Sequence, residues 1–196
     1  MPYSTAGMFA WAEAMCNRAN VGYWMSYPQR NYMTISGITY FDCSSFTFFA
    51  CWLGGGLDVG ALGYSTDLAA YQAGASGSPN AWTVNSMIRN LQAAGWATYS
   101  PSAVRLQPGD ILAKWDTHTE IYYGDNPVRI MGARNSSLPL ADQVAIHETS
   151  LTSIQNYYNL VLRPDGGPTP PPGPTRPVPI WLIKRAIENS KGGMPM

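Results

Sequence analysis

Apolar residues recur at helical spacing from Ser4 to Arg18, where Phe9, Ala12, Cys16 and Ala19 share a stripe and Ser4 or Thr5 stands as a cap. From Asn20 to Tyr40 polar and aromatic residues mix without a period. This predicts a long loop carrying Tyr23, Trp24, Tyr27, Arg30 and Tyr32, ending in a strand-like aromatic run. A second helix is expected from Cys43, with Phe46, Phe49, Ala50 and Leu53 as its core face and Gly54-Gly55-Gly56 as its stop. Leu57 to Ala81 is Gly-rich and has room for one short helix near Ser65 to Ala73. Thr83 to Ala94 is again helical by period, with Val84, Met87, Ile88 and Leu91 on one face and Gly95 beyond its end.

The period changes after Leu106. Pro108-Gly109 makes a turn, and an apolar strand follows through Ile111 to Ala113. Further strands are expected at Thr117 to Tyr123, Val128 to Ala133, Val144 to Glu148 and Leu160 to Arg163, with a hairpin turn at Gly124-Asp125-Asn126-Pro127. Helices first and strands afterwards indicate an α+β fold with a central antiparallel β-sheet. Residues 1–163 therefore read as one domain. At 164–179 the composition breaks to Pro and Gly, an extended linker, and 180–196 form a short tail. Trp181, Leu182, Ile183 and Ile187 could give that tail a helix over Ile180 to Asn189, too short to fold alone and open to a protein or wall partner.

Composition narrows the function. The 196 residues carry no net formal charge and only 12% charged residues, so the basic face that a nucleic acid needs is missing. The apolar content of 45% can bury a core. No run of about 18 apolar residues could form a transmembrane span. Met1-Pro2-Tyr3-Ser4 lacks the basic start of a secretion signal, so synthesis in the cytoplasm without a signal peptide is expected. Twelve Tyr and seven Trp suit a carbohydrate or peptide groove as well as an ordinary core.

With three cysteines and two histidines, a Cys/His pair can be sought almost exhaustively, and the spacing contains no zinc framework. Cys43 and Cys51 on one helix stand about 12 Å apart, beyond disulfide reach. Cys16 and Cys51 read as small buried thiols. Cys43 differs because it opens its helix, flanked by the capping oxygens of Asp42, Ser44 and Ser45. The positive end of a helix dipole favours thiolate, the nucleophilic form of cysteine. In Thr117 to Tyr123, period-two alternation puts His118, Glu120 and Tyr122 on one face and Ile121 and Tyr123 on the other. An imidazole there could accept the thiol proton and later protonate a leaving group. Ser44 or the Cys43 amide could donate to an oxyanion. Arg134 could meet a substrate carboxylate in a bidentate pair. His147, near Glu148, has no motif role and reads as structural or surface.

The ordered series "YFDCSSF", "LQPGDIL", "HTEIYYG", "IMGARNSS" and "YYNLVLRP" resembles the NlpC-type papain-like cysteine peptidoglycan hydrolases, CHAP-related amidases and endopeptidases of phage lysins among them, over Ser4 to Pro164. The resemblance implies a papain-like fold, a nucleophile-bearing helix packed on an antiparallel sheet that bears the base. It assigns the nucleophile to Cys43 and the base to His118. The family's third, orienting residue usually lies on the next strand, at a position that is Gly132 here and has no side chain to offer. Asn135 is the favoured substitute, Glu120 the runner-up and Asp116 a third candidate. Asp42 matches a position that shapes the pocket or caps the helix, and Tyr27, Tyr23 and Trp24 match a groove-lining loop. The implied partner is bacterial peptidoglycan, with no cofactor and no metal. The implied activity is that of an N-acetylmuramoyl-L-alanine amidase, with a stem-peptide endopeptidase cutting after D-glutamate as the alternative. A non-catalytic wall-binding or virion structural module is the rival from another class. A lysin without a signal peptide would reach the wall through a holin or as part of a virion.

Overall fold

The computed structural model describes residues 3–73 and 82–164. The tail at 180–196, the helix expected within it, the linker beyond Pro164 and the end of the Gly-rich excursion at 74–81 lie outside the described residues. Pro164 itself is the last residue of a strand and pairs with Trp96, one residue past the expected domain boundary.

The described chain is a mixed α+β structure. Helix α1 (Thr5–Cys16) is capped by Ser4, whose hydroxyl accepts from the Gly7 N–H. Its buried stripe is Met8, Trp11, Ala12 and Met15, which corrects the expected stripe: Phe9 and Cys16 are only half-buried and Ala19 is exposed beyond the helix end. Larger apolar side chains have more surface to remove from water, so they decide which face turns inward.

The loop expected over Asn20 to Tyr40 is also corrected. It contains β1 (Val21–Tyr23), β2 (Asn31–Ile35) and β3 (Ile38–Phe41), a small sheet in which β1 runs parallel and β2 antiparallel to β3. Strands of three to five residues are too short for alternation to register. The one local signal is Ser36-Gly37, both at positive φ, joining Ile35 to its cross-strand partner Ile38 in a two-residue turn.

Helix α2 (Cys43–Phe49) continues as a π-helical turn, Ala50–Gly54. Every residue from Asp42 to Cys51 is buried, so the single core face expected for it was too narrow, and Leu53 on that face is only half-buried. The buried hydroxyls of α2 find partners within the helix start, Thr47 donating to the Cys43 carbonyl at 3.2 Å and Ser45 Oγ accepting from the Asp42 N–H at 2.9 Å, so they do not keep it out of the core. Helix α1 crosses its end closely enough that a Cβ on Gly7 would lie 2.4 Å from the Gly54 carbonyl oxygen. Helices α3 (Leu68–Ala73) and α4 (Val84–Ala93) match expectation, α4 burying Val84, Met87, Ile88 and Leu91.

The larger sheet comprises β4 (Trp96–Tyr99), β5 (Ile111–Lys114), β6 (His118–Asp125), β7 (Val128–Ala133), β8 (Val144–Glu148) and β9 (Leu160–Pro164). Its order is β4-β9-β5-β6-β7-β8, with antiparallel neighbours throughout. Strand β4 and the helices α5 (Leu140–Gln143) and α6 (Leu151–Tyr157) are additional to the sequence reading. Buried Asp110 ahead of β5 takes a two-point contact from Arg163 on β9, both at 2.7 Å.

Alternation along the strands assigns the two faces. Ile111, Ala113, Ile121, Tyr123 and Met131 join the core built by α1 and α2. Leu112, Tyr122, Ile130 and Val161 join a second cluster with Ile154 and Tyr158, on and just after α6. Tyr122 thus does oppose Ile121 and Tyr123.

Candidate active site

Asp42 is the N-cap of α2 and closes a reciprocal box with Ser45. Its carboxylate accepts from the Ser45 N–H at 2.7 Å, and its own N–H donates to Ser45 Oγ at 2.9 Å. Arg30, from the segment before β2, meets the same carboxylate at 2.7 Å and donates to Ser44 Oγ at 2.9 Å and to the Trp82 carbonyl at 2.6 Å. The Ser44 hydroxyl also donates to Asp42 Oδ1 at 3.2 Å, so both residues flanking Cys43 are spent on holding the helix start. Of the two roles open to Asp42, capping is what its contacts describe. Arg30 is an addition to the residues that the sequence points to. Its role comes from a pairing twelve residues along the chain, which no local spacing signals.

Cys43 follows that cap, 6% exposed, and the imidazole of His118 reaches it from the start of β6. His118 Nε2 lies 3.5 Å from Glu120 Oε2. Burial alone would push the imidazole down. Hydrogen bonds and negative charge from Cys43 and Glu120 outweigh it and raise the pKa from 6.5 to about 10. Glu120 is 3% exposed and saturated with partners. His147 Nε2 lies 2.8 Å from Oε1, and the Tyr158 hydroxyl donates to Oε2. Burial would raise the Glu120 pKa, but the two histidines lower it to about 2. A carboxylate held this way stays ionised inside the fold.

Glu120 fills the space over Gly132. A Cβ there would lie 2.9 Å from Glu120 Cγ. The strand that offers no side chain at position 132 therefore makes room for a carboxylate from the neighbouring strand.

The other candidates separate. Asn135, preferred at first as the orienting residue, accepts from the Ser137 N–H at 2.8 Å through its side-chain oxygen; Glu120 is the group against His118. Asp116 hydrogen-bonds Asn85 across the end of α4, through both its carboxylate and its N–H. His147, read from the sequence as structural or surface, is a direct hydrogen-bond partner of Glu120. Its strand position opposite Ile130 turns it to the same face, a relation visible only once β7 and β8 are paired. Tyr23 lies near enough to Cys43 and Asp42 that burial first, then their charges, raise its pKa. Trp24 and Tyr27 are exposed at 42% and 38%, and the Trp24 ring packs edge-on against Tyr40. Cys16 and Cys51 are free thiols, like Cys43; burial raises Cys16, and raises Cys51 to about 12.

A cleft of about 420 Å³ opens beside His118, with Glu120, His147, Arg134, Asn135 and Tyr157 among its lining. Among the described residues, no group of three or more His, Cys, Asp and Glu side chains is placed to hold a metal ion, and no helix is long and apolar enough to cross a membrane. Comparison of the chain with protein-family models, with curated proteins and with solved structures found no match in any of the three.

Proposed function

We propose that the protein is a cysteine hydrolase of peptidoglycan, of the papain-like NlpC kind, acting as an N-acetylmuramoyl-L-alanine amidase. The observation that carries this reading is the chain Cys43–His118–Glu120, with Glu120 buried, ionised and anchored by His147 and Tyr158. His118 Nε2 faces Glu120, which leaves Nδ1 for the thiol. Glu120 then has the orienting role, fixing the ring and stabilising its charged form.

In the proposed reaction the Cys43 thiol proton resides on His118, and Cys43 Sγ attacks the lactyl carbonyl of the muramoyl amide. Because Ser44 Oγ is engaged by Asp42 and Arg30, the backbone amides of Cys43 and Ser44 are the donors offered to the oxyanion. Collapse of the tetrahedral species breaks the C–N bond, and His118 gives its proton to the departing alanine nitrogen. Water, deprotonated by His118, then hydrolyses the thioester and returns the thiol. Delivery to the wall through a holin or as part of a virion belongs to the same reading.

Digestion of purified sacculi followed by mass spectrometry of the new termini tests it. New N-terminal L-alanine and freed lactyl ends are expected from the wild type and not from Cys43→Ala. Shortened stem peptides with the lactyl junction intact would replace the amidase by the endopeptidase. Wall clearing equal in wild type and Cys43→Ala, or absent from both, would remove the enzyme altogether in favour of a wall-binding or structural module.

A further inference from the structure

The cleft beside His118 contains more than the orienting network uses. Cys43 is not among its lining residues, so the cavity lies past the His118 ring as seen from the nucleophile, on the side of Nε2 and Glu120; in the proposed reaction the half of the substrate that His118 protonates is the half that extends past that ring. At about 420 Å³ the cavity is within the usual size of a ligand site. Its charge is one-sided. Among the described residues, Glu120 is the only acidic side chain in the lining, and both of its oxygens are engaged, by His147 on one and by Tyr158 and His118 on the other.

Arg134, just past the end of β7, lines the same cleft. Its backbone is pinned by the Gln143 carbonyl at 2.7 Å, and among the described residues its guanidinium makes one long contact, to the Asp142 carbonyl at 3.5 Å. Among the described residues Arg134 forms no ion pair. A guanidinium carries five N–H donors in a planar fork, and a carboxylate matches that fork at two points. Lys114, its Nζ 4.2 Å from the centre of the Tyr157 ring, adds positive charge beside this lining residue.

We propose that this cleft binds the leaving-group half of the substrate and that Arg134 selects a carboxylate carried on it, in a stem peptide the free α-carboxylate of the D-glutamate. The inference rests on the hydrolase reading for its orientation, with the amine-side peptide beyond His118. It makes Arg134 a specificity-determining residue: a wall whose glutamate carboxylates are amidated would be a poor substrate, because the amide removes the charge and half of the bidentate match.

The test pairs two synthetic substrates, N-acetylmuramoyl-L-alanyl-γ-D-glutamyl peptide with the α-carboxylate free and the same molecule with it amidated. Wild type should show kcat/KM higher for the free carboxylate by roughly tenfold or more, the range expected of a charge-assisted pair. Arg134→Gln should lose that preference by slowing only the carboxylate form, and Arg134→Lys should keep part of it. Equal wild-type rates on the two substrates, or equal slowing of both by Arg134→Gln, overturns the proposal and leaves the hydrolase standing. If wild type cleaves neither, the hydrolase reading has failed. Calorimetric binding of both peptides to Cys43→Ala, with and without Arg134→Gln, then decides the cleft by itself: a carboxylate preference that Arg134→Gln abolishes supports it, and no preference overturns it.

Discussion

Glu120 concentrates the chemistry of this site at the scale of one residue. Its carboxylate is buried, so it must be partnered or neutral, and three partners keep it charged. Glu120→Gln removes the charge while preserving shape. We expect kcat to fall by about 10²-fold or more with KM little changed, since an orienting carboxylate acts on the transition state and not on substrate affinity. The same variant should lower the His118 titration point from about 10, which can be followed by NMR because the chain has only two histidines. An unmoved His118 titration would sink the assignment. Position 120 was legible in the sequence through period-two alternation from His118, but its priority over Asn135 was not. What ranks them is who holds the carboxylate: His147 is 27 residues away and Tyr158 is 38 residues away.

At the scale of elements, two arrangements present the site. The first is the start of α2, where Asp42, Ser45, Arg30 and Ser44 commit nearly every side-chain polar group to fixing the helix N-terminus and so the position of Cys43. The cap was readable from Asp42 to Ser45, because N-cap chemistry is local. The second is the β6–β7 pair, where glycine on one strand admits a carboxylate from the other. Gly132→Ala would put a Cβ 2.9 Å from Glu120 Cγ, and Glu120 cannot swing aside without leaving His147 and Tyr158. Overpacking of this kind costs about 1–3 kcal/mol. Urea unfolding should register that loss, and turnover should fall further than the remaining folded fraction explains. Full activity in Gly132→Ala would show that Glu120 needs no such room. The elements missed in the sequence, β1, β2, β4 and the two short helices, are those too brief for a period to emerge. Strand β4 exists because β9, the last described strand, lies beside it.

For the whole molecule, the network ties stability to pH. The folded state holds the His118 proton more tightly than the unfolded chain does. That contribution is complete below pH 6.5 and is lost as pH rises toward about 10. Glu120 runs the other way: its contribution is complete above pH 4.5 and is lost as pH falls toward about 2. Both act in full between 4.5 and 6.5. The urea midpoint of the wild type should therefore decline between pH 6.5 and about 10, and Glu120→Gln should flatten that decline. Parallel curves for the two proteins would detach the network from stability.

The sequence by itself determined the α+β class, the capping oxygens at the start of the Cys43 helix, the faces of β6 and the pair Cys43 and His118 as the residues to examine. Each follows from short-range rules of period, capping and turn chemistry. Only the tertiary structure decided that Glu120 rather than Asn135 stands against His118, that His147 belongs to the site, that Gly132 makes space for a carboxylate, and that Arg134 faces the cleft. Those relations depend on which strands lie side by side. Strand order is set by packing the α1–α2 core on one face and α6 on the other, a balance of burial that no local window of the chain contains.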